Sequence, residues 1–244
     1  MLTQPEYTAA HALLIVSHGA PSAPEGQEAH IHGLAESTAE LMPGWQVEGA
    51  TLAAKGALAT ALDRIEAPHV HLLPLFMSDG WFVSTALPRR LPDQHRGRIT
   101  ILPPLGRLPG MRQIALAAIE GGLAGLTPDK TTVLLAGHGS PSDPRPALAA
   151  EAIASFLRGT GRFRAVRTGF VDQDTRLANA ARIYGPAICL PFFAIRAGHV
   201  EIDLPEALEE AGFTGPVLDP IGLHPDVPAL MAETALTRTQ RSAA

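Results

Sequence analysis

Val133-Leu134-Leu135-Ala136-Gly137-His138-Gly139-Ser140-Pro141-Ser142-Asp143-Pro144-Arg145-Pro146 runs from an apolar segment through a histidine turn to the start of a helical pattern. The apolar run Val133–Ala136 has the length of a buried strand and ends on Gly-His-Gly. Pro141, Pro144 and Pro146 oppose an immediate helix, and a helical pattern opens at Ala147. The spacing therefore predicts a parallel strand that delivers His138 at its C-terminal tip. In open α/β sheets that edge is where ligands bind. Flanking glycines let backbone and ligand approach the imidazole closely. Taken alone, such a histidine could simply cap a turn.

The rest of the chain strengthens the functional reading, because the stretch has a counterpart. Leu13–Val16 is a second short apolar run, ending in Ser17-His18-Gly19-Ala20-Pro21-Ser22-Ala23-Pro24. His18 and His138 lie 120 positions apart, and three further landmarks follow in the same order. Val47 pairs with Val166 (119 apart), Leu73-Pro74-Leu75-Phe76 with Leu190-Pro191-Phe192-Phe193 (117), and Pro104-Leu105-Gly106 with Pro220-Ile221-Gly222 (116). An ordered repeat of this kind points to two copies of one unit. Each copy reads as alternating strands and helices. The strands are Leu13–Val16, Val47–Leu52, His69–Phe76 and Ile99–Leu102, then Val133–Ala136, Val166–Val171, Ala187–Phe193 and Pro216–Leu218. The helices are Glu25–Leu41, Gly56–Ile65 and Met111–Leu126, then Ala147–Leu157, Thr175–Ile183 and Val227–Thr237. The expected fold is α/β: two duplicated Rossmann-like halves, each a parallel sheet with helices on both faces. The halves are residues 1–126 and 127–244, joined near Gly125–Lys130, with a cleft between them as the expected ligand site.

Composition narrows the function classes. Of 244 residues, 46% are hydrophobic and 18% charged, with a net charge of −5 and no basic block, which argues against a nucleic-acid surface. No apolar run is long enough to span a membrane, and Met1-Leu2-Thr3-Gln4-Pro5-Glu6-Tyr7 does not read as a signal peptide. Cys189, the single cysteine, lies in an apolar run and reads as core, and one thiol suits a reducing cytoplasm.

The halves differ where chemistry would sit. Ala194-Ile195-Arg196-Ala197-Gly198-His199-Val200-Glu201-Ile202-Asp203 follows the second Leu-Pro-Phe-Phe, and His199 falls opposite Phe82 of the first half. His138 thus has a partner histidine, and His18 has none. Two neutral imidazoles at one sheet edge can seat a borderline divalent ion such as Fe(II) or Co(II), and an imidazole is also a base near neutral pH. Acidic candidates nearby are Asp172, Asp174, Glu201 and Asp203. The first half carries Met77, Trp81 and Phe82 at the matching loop, which reads either as ordinary packing or as an apolar wall for a planar ligand. His30 and His32 read as a surface pair on a helix, and His11, His69, His71, His95 and His224 have no legible motif.

The strand leading to His-Gly-Ser (Leu135–Pro141), the Leu190-Pro191-Phe192-Phe193 run to His199 and the Val200–Pro205 tail together resemble the CbiX/SirB sirohydrochlorin chelatases. These are class II tetrapyrrole chelatases, with ferrochelatase as a more distant relative. The resemblance spans essentially the whole chain. It implies insertion of Fe2+ or Co2+ into a tetrapyrrole, the metal being substrate and no further cofactor being needed. His138 and His199 match the family's metal-binding, proton-accepting pair, and Asp172 lies near the place of its acidic helper. Ser140, Arg145, Arg196, Met77, Trp81 and Phe82 are the expected substrate contacts. The chain departs from the family in carrying its histidine pair in the C-terminal half and in having Ala197 where a glycine precedes the second histidine by two. Arginines near the expected cleft favour the polycarboxylate sirohydrochlorin, while the apolar wall would suit protoporphyrin. A non-catalytic tetrapyrrole or metal carrier is the alternative of another class. A Ser-His hydrolase is disfavoured because neither Ser17 nor Ser140 sits in a G-x-S-x-G elbow.

Overall fold

The computed structural model describes residues 9–19 and 24–243; residues 1–8, which include the Met1–Tyr7 stretch, residues 20–23 and residue 244 lie outside the described residues. In chain order the main elements are β1 (His11–Ser17), α1 (Pro24–Ala39), β2 (Gln46–Thr51), α2 (Ala57–Arg64), β3 (His69–Pro74), α3 (Leu87–Arg90), α4 (Asp93–Arg96), β4 (Ile99–Ile101) and α5 (Met111–Gly121). They continue as β5 (Thr132–Gly137), α6 (Arg145–Gly159), β6 (Ala165–Phe170), α7 (Leu177–Ala180), β7 (Ala187–Pro191), α8 (Leu204–Glu210) and α9 (Val227–Ala243). They form two compact units. One contains the described residues up to Leu75, Trp81–Pro103 and the chain from Pro228 on; the other contains Phe76–Gly80 and Pro104–Val227. The junction near residue 126 therefore falls inside the second unit.

In the first unit the strands are all parallel in the order β2-β1-β3-β4. Every residue from Ala12 to Val16 is fully buried, as a parallel strand covered on both faces requires. Ala12, Leu14 and Val16 share one face with Val70 and Leu72, packed against Leu58, Ala61 and Leu62 of α2 and Leu87 of α3. On the other face α9 brings the Thr239 hydroxyl to 3.0 Å from His71 Nε2. Arg98 closes the C-terminal end of α2 by donating to the carbonyls of Leu62, Ile65 and Ala67 at 2.6, 2.7 and 2.9 Å, which satisfies acceptors that a helix end leaves unpaired.

The second unit has three parallel strands in the order β6-β5-β7. Leu134 and Ala136 pack with Cys189 under Leu177 of α7 and Leu204 and Leu208 of α8, while α5 and α6 pack against β7 and β5. The strand expected at Pro216–Leu218 does not form. Only Cys189 and Val217 make a bridge, with Cys189 N donating to Pro216 O and Leu218 N to Cys189 O, both at 2.9 Å. Pro216 and Pro220 supply no N–H to a longer ladder. The helix expected over Thr175–Ile183 shrinks to α7 because the chain first makes an excursion through residues 171–176. Helix α6 starts earlier than Ala147, with Pro146 in its first turn, where a missing N–H costs nothing. Strands β3 and β7 end on Pro74 and Pro191 rather than running on to the phenylalanines.

Each third strand is followed by a loop and then a π-helical turn, Phe82–Ala86 after β3 and His199–Asp203 after β7. The Pro-x-Gly motifs lie under these loops. Gly106 N donates to Phe76 O and Gly222 N to Phe193 O, both at 3.0 Å. A Cβ there would stand 2.2 Å from Met77 O or 2.1 Å from Ala194 O, so only glycine allows the approach.

Candidate metal-handling site

His138 leaves the C-terminal end of β5, and the next residue fixes its setting. Gly139 has φ +73°, and a Cβ there would lie 2.8 Å from the Cβ atoms of Gln173 and Phe170. The excursion after β6 is tied to the histidine loop by Val171 N to Gly137 O (3.1 Å), Asp172 N to His138 O (2.9 Å) and Ser140 N to Gln173 Oε1 (3.1 Å). It closes through Thr175, a β-branched residue at φ +68° whose carbonyl accepts from Phe170 N at 3.1 Å. That conformation is disfavoured for threonine, and such outliers gather at functional loops.

His199 opens the π-turn after β7. Its Nε2 lies 2.9 Å from Nε2 of His138, with the rings edge to face at 79° and centroids 4.2 Å apart. The far nitrogen of each ring already has an acceptor. His199 Nδ1 is 2.7 Å from Asp203 Oδ2, and His138 Nδ1 is 2.9 Å from Gly139 O. Neutral rings therefore carry their protons on Nδ1 and leave an Nε2 lone pair on each side of the short contact. Two bare lone pairs at this distance repel, and a shared proton or a metal ion relieves the repulsion. Two nitrogens each about 2.1 Å from one ion stand about 3 Å apart when adjacent in its coordination shell, so the observed spacing fits a shared divalent ion. Among the described residues no three His, Cys, Asp or Glu side chains converge as a metal-holding group. An ion held between the two Nε2 atoms would take only these two nitrogens from the described side chains and keep its other positions open. The four side chains concerned are roughly half exposed.

Asp172 and His138 come together, with Asp172 Oδ2 3.7 Å from His138 Nδ1, beyond hydrogen-bond length. Asp203, one of four acids noted in the sequence, makes the direct bond. Its signal was the four-residue spacing from His199 along a helical turn. Gln173, which bonds the histidine loop, had no signal in the sequence.

The other expected residues have partners of their own. The Ser140 hydroxyl accepts from Asp143 N at 3.2 Å and shapes the turn. Arg145 grips Asp143 through Nε and Nη2 at 2.8–3.1 Å and donates Nη1 to Asp79 O at 2.8 Å, securing the segment Phe76–Gly80 that carries Met77. These bonds hold the Asp143 carboxyl below its ordinary range. Arg196 is paired with Asp219. In the first unit Trp81 is 54% exposed and meets Phe82 edge on, at 5.2 Å between centroids. A groove of about 680 Å³ beside His138 is lined by Ser140, Ser142, Asp172, Gln173, Asp174 and Arg176. A second, of about 290 Å³, is lined by Asp172, Arg176, Asp203, Glu206 and Glu210.

Comparison with known proteins gives this site a context. The CbiX family profile matches residues 12–121 and 132–237, one match per repeat. A solved structure described as CbiX, the terminal enzyme for biosynthesis of siroheme in denitrifying bacteria, is 42% identical with a TM-score of 0.85, covering 93% of this chain and 98% of that one. SirB from Bacillus subtilis with Fe3+ shares the fold at 16% identity and a TM-score of 0.77, covering 96% of this chain and 97% of that one. A probable sirohydrochlorin cobaltochelatase of Halobacterium salinarum is 23% identical over 223 residues, covering 80% of this chain and 75% of that protein. The chain belongs to the CbiX family.

Proposed function

We propose that this chain is a chelatase that inserts a divalent metal ion, Fe2+ or Co2+, into sirohydrochlorin, with His138 and His199 as the groups that take the ion and the pyrrole protons. The observation that carries the reading is the pair of Nε2 atoms 2.9 Å apart, each freed by a bond on its own Nδ1. Insertion exchanges one divalent ion for two pyrrole N–H protons, so it needs a ligand that lets go and a base that then takes a proton. A three- or four-ligand protein site holds its metal, whereas two imidazoles open to solvent can pass it on. Once the ion has left, the same lone pairs accept protons. The Asp203 carboxylate holds His199 through Nδ1, and Asp172 adds negative charge beside His138. The carboxylates of Asp172, Asp203, Glu206 and Glu210 along the smaller groove draw cations toward the pair.

The reading keeps Met77, Trp81 and Phe82 as apolar contacts for the macrocycle, supported by the exposure of the Trp81 indole. Ser140, Arg145 and Arg196 serve the substrate through the loops they hold. A single buried thiol suits a reducing compartment, and the reading includes a cytoplasmic location. The test is an anaerobic metalation assay crossing sirohydrochlorin and protoporphyrin with Fe(II), Co(II) and Ni(II), followed by absorbance. Catalytic turnover with sirohydrochlorin is expected. Stoichiometric binding without turnover, or robust iron insertion into protoporphyrin alone, would overturn the assignment.

A further inference from the structure

The two repeats can be laid side by side atom by atom, and the first unit turns out to contain nearly the whole frame of the histidine site. His18 leaves β1 as His138 leaves β5, followed by Gly19 at φ +74° against Gly139 at +73°. His18 Nδ1 is 2.7 Å from Gly19 O, the same bond that frees Nε2 of His138. The loop after β2 is tied by Leu52 N to Ser17 O and Ala53 N to His18 O, both 2.9 Å, as residues 171 and 172 are tied in the second unit. The π-turn is present as well, beginning at Phe82, whose ring meets His18 edge to face at 81° with centroids 4.5 Å apart. The His138–His199 values are 79° and 4.2 Å.

Among the side chains that differ, three would bear on a metal ion. Phe82 stands for His199, Ala53 for Asp172 and Ala86 for Asp203. π-turns are rare and concentrate at functional sites, so one retained around a phenylalanine is a preserved frame rather than an accident of local propensity. A phenyl ring offers no lone pair, and one imidazole cannot hold an ion against water.

We propose that the first unit holds a latent divalent-metal site in which His18 is the retained ligand and Phe82 blocks the second, so that Phe82→His alone gives the chain a second cation site. The inference rests on the reading of the His138–His199 pair as metal ligands. A histidine ring is smaller than the phenyl it replaces and fits the same edge-to-face contact. Ala86 is 4% exposed, so a carboxylate there would be buried at a cost. Ala53 is half-buried at the loop, and Ala53→Asp is the safer way to add the negative charge.

The experiment is a Co(II) titration followed by visible absorbance and equilibrium dialysis, with circular dichroism as the check on folding. Wild type is expected to bind one equivalent, lost in His138→Ala. Phe82→His, and separately Phe82→His with Ala53→Asp, are expected to bind two. Adding His18→Ala to either should return the count to one. A folded variant that still binds one equivalent, or a second ion indifferent to His18→Ala, would overturn the latent site. Should wild type bind none while the variant binds one through His18, the latent site stands and the reading of the native pair fails.

Discussion

At the scale of single residues, the hydrogen bond from His199 Nδ1 to Asp203 decides what His199 can do. With the Nδ1 proton given to Asp203, the Nε2 of His199 is left unprotonated 2.9 Å from that of His138. Removing such an outer partner lowers metal affinity or activity by about 10–100-fold in comparable sites. Asp203→Asn should therefore weaken Co(II) binding by that order, with kcat/KM following, and leave the fold unchanged by circular dichroism. If both imidazoles take the ion, as proposed, their removal is harsher: His138→Ala and His199→Ala should each bring turnover to the uncatalysed background. His18→Ala should stay within a few-fold of wild type, since Phe82 stands where its partner would be. Equal loss in the His18 variant would move the chemistry to the first repeat. The histidine pair was legible in the sequence because comparing two copies singles out the one that differs. Which carboxylate bonds an imidazole directly was not, because Asp172 and Asp203 differ there by about one ångström, between a contact of 3.7 Å and one of 2.7 Å.

At the scale of elements, strands were legible wherever residues alternate between two covered faces, as Leu13–Val16 and Val133–Ala136 do. The missing fourth strand of the second unit was not, since Pro216–Leu218 has an apolar look and fails only for want of donors. Nor was the excursion through residues 171–176, whose turn depends on a threonine in a left-handed conformation. That excursion and the histidine loop form one mechanical piece, joined where Gly139 passes under Phe170 and Gln173. Gly139→Ala would strain φ and also press a methyl group to 2.8 Å from two Cβ atoms that belong to fixed backbone. The expected outcome is a loss of about 2 kcal/mol or more of stability in urea titration, together with a fall in kcat larger than the change in KM. Ordinary stability with full activity would mean that the loop relaxes freely and does not position His138. Arg145 works on the same scale. Its bonds to Asp143 and to Asp79 O reach a segment 66 residues away in sequence, which no local pattern could announce.

At the scale of the whole molecule, the repeat hid an exchange. Helix α5 closes the first repeat in sequence yet belongs to the second unit, and α9 closes the second repeat yet belongs to the first. The docking of α9 has an acid-sensitive point. His71 is 6% exposed on β3, its Nε2 meets the Thr239 hydroxyl and its Nδ1 is buried without a partner among the described residues. Burial lowers its pKa from the ordinary 6.5, and the neighbouring charges of His11, Arg238 and His69 act in the same direction. His11, stacked on Trp45 at 5.1 Å, is lowered as well, by burial and by His69. The unfolded chain, with ordinary histidines, then binds more protons than the folded one below pH 6.5. Stability rises with pH in that window, is fully present above pH 6.5, and is lost as pH falls toward the lowered folded-state values. Thermal midpoints measured between pH 5 and 7.5 should therefore fall steeply on the acid side for wild type. His71→Leu removes one of the titrating groups while keeping the bulk, so its midpoint should depend less on pH over the same range. A parallel fall in both proteins would remove His71 from the account and leave the acid sensitivity to His11 and His30, both of which burial also lowers.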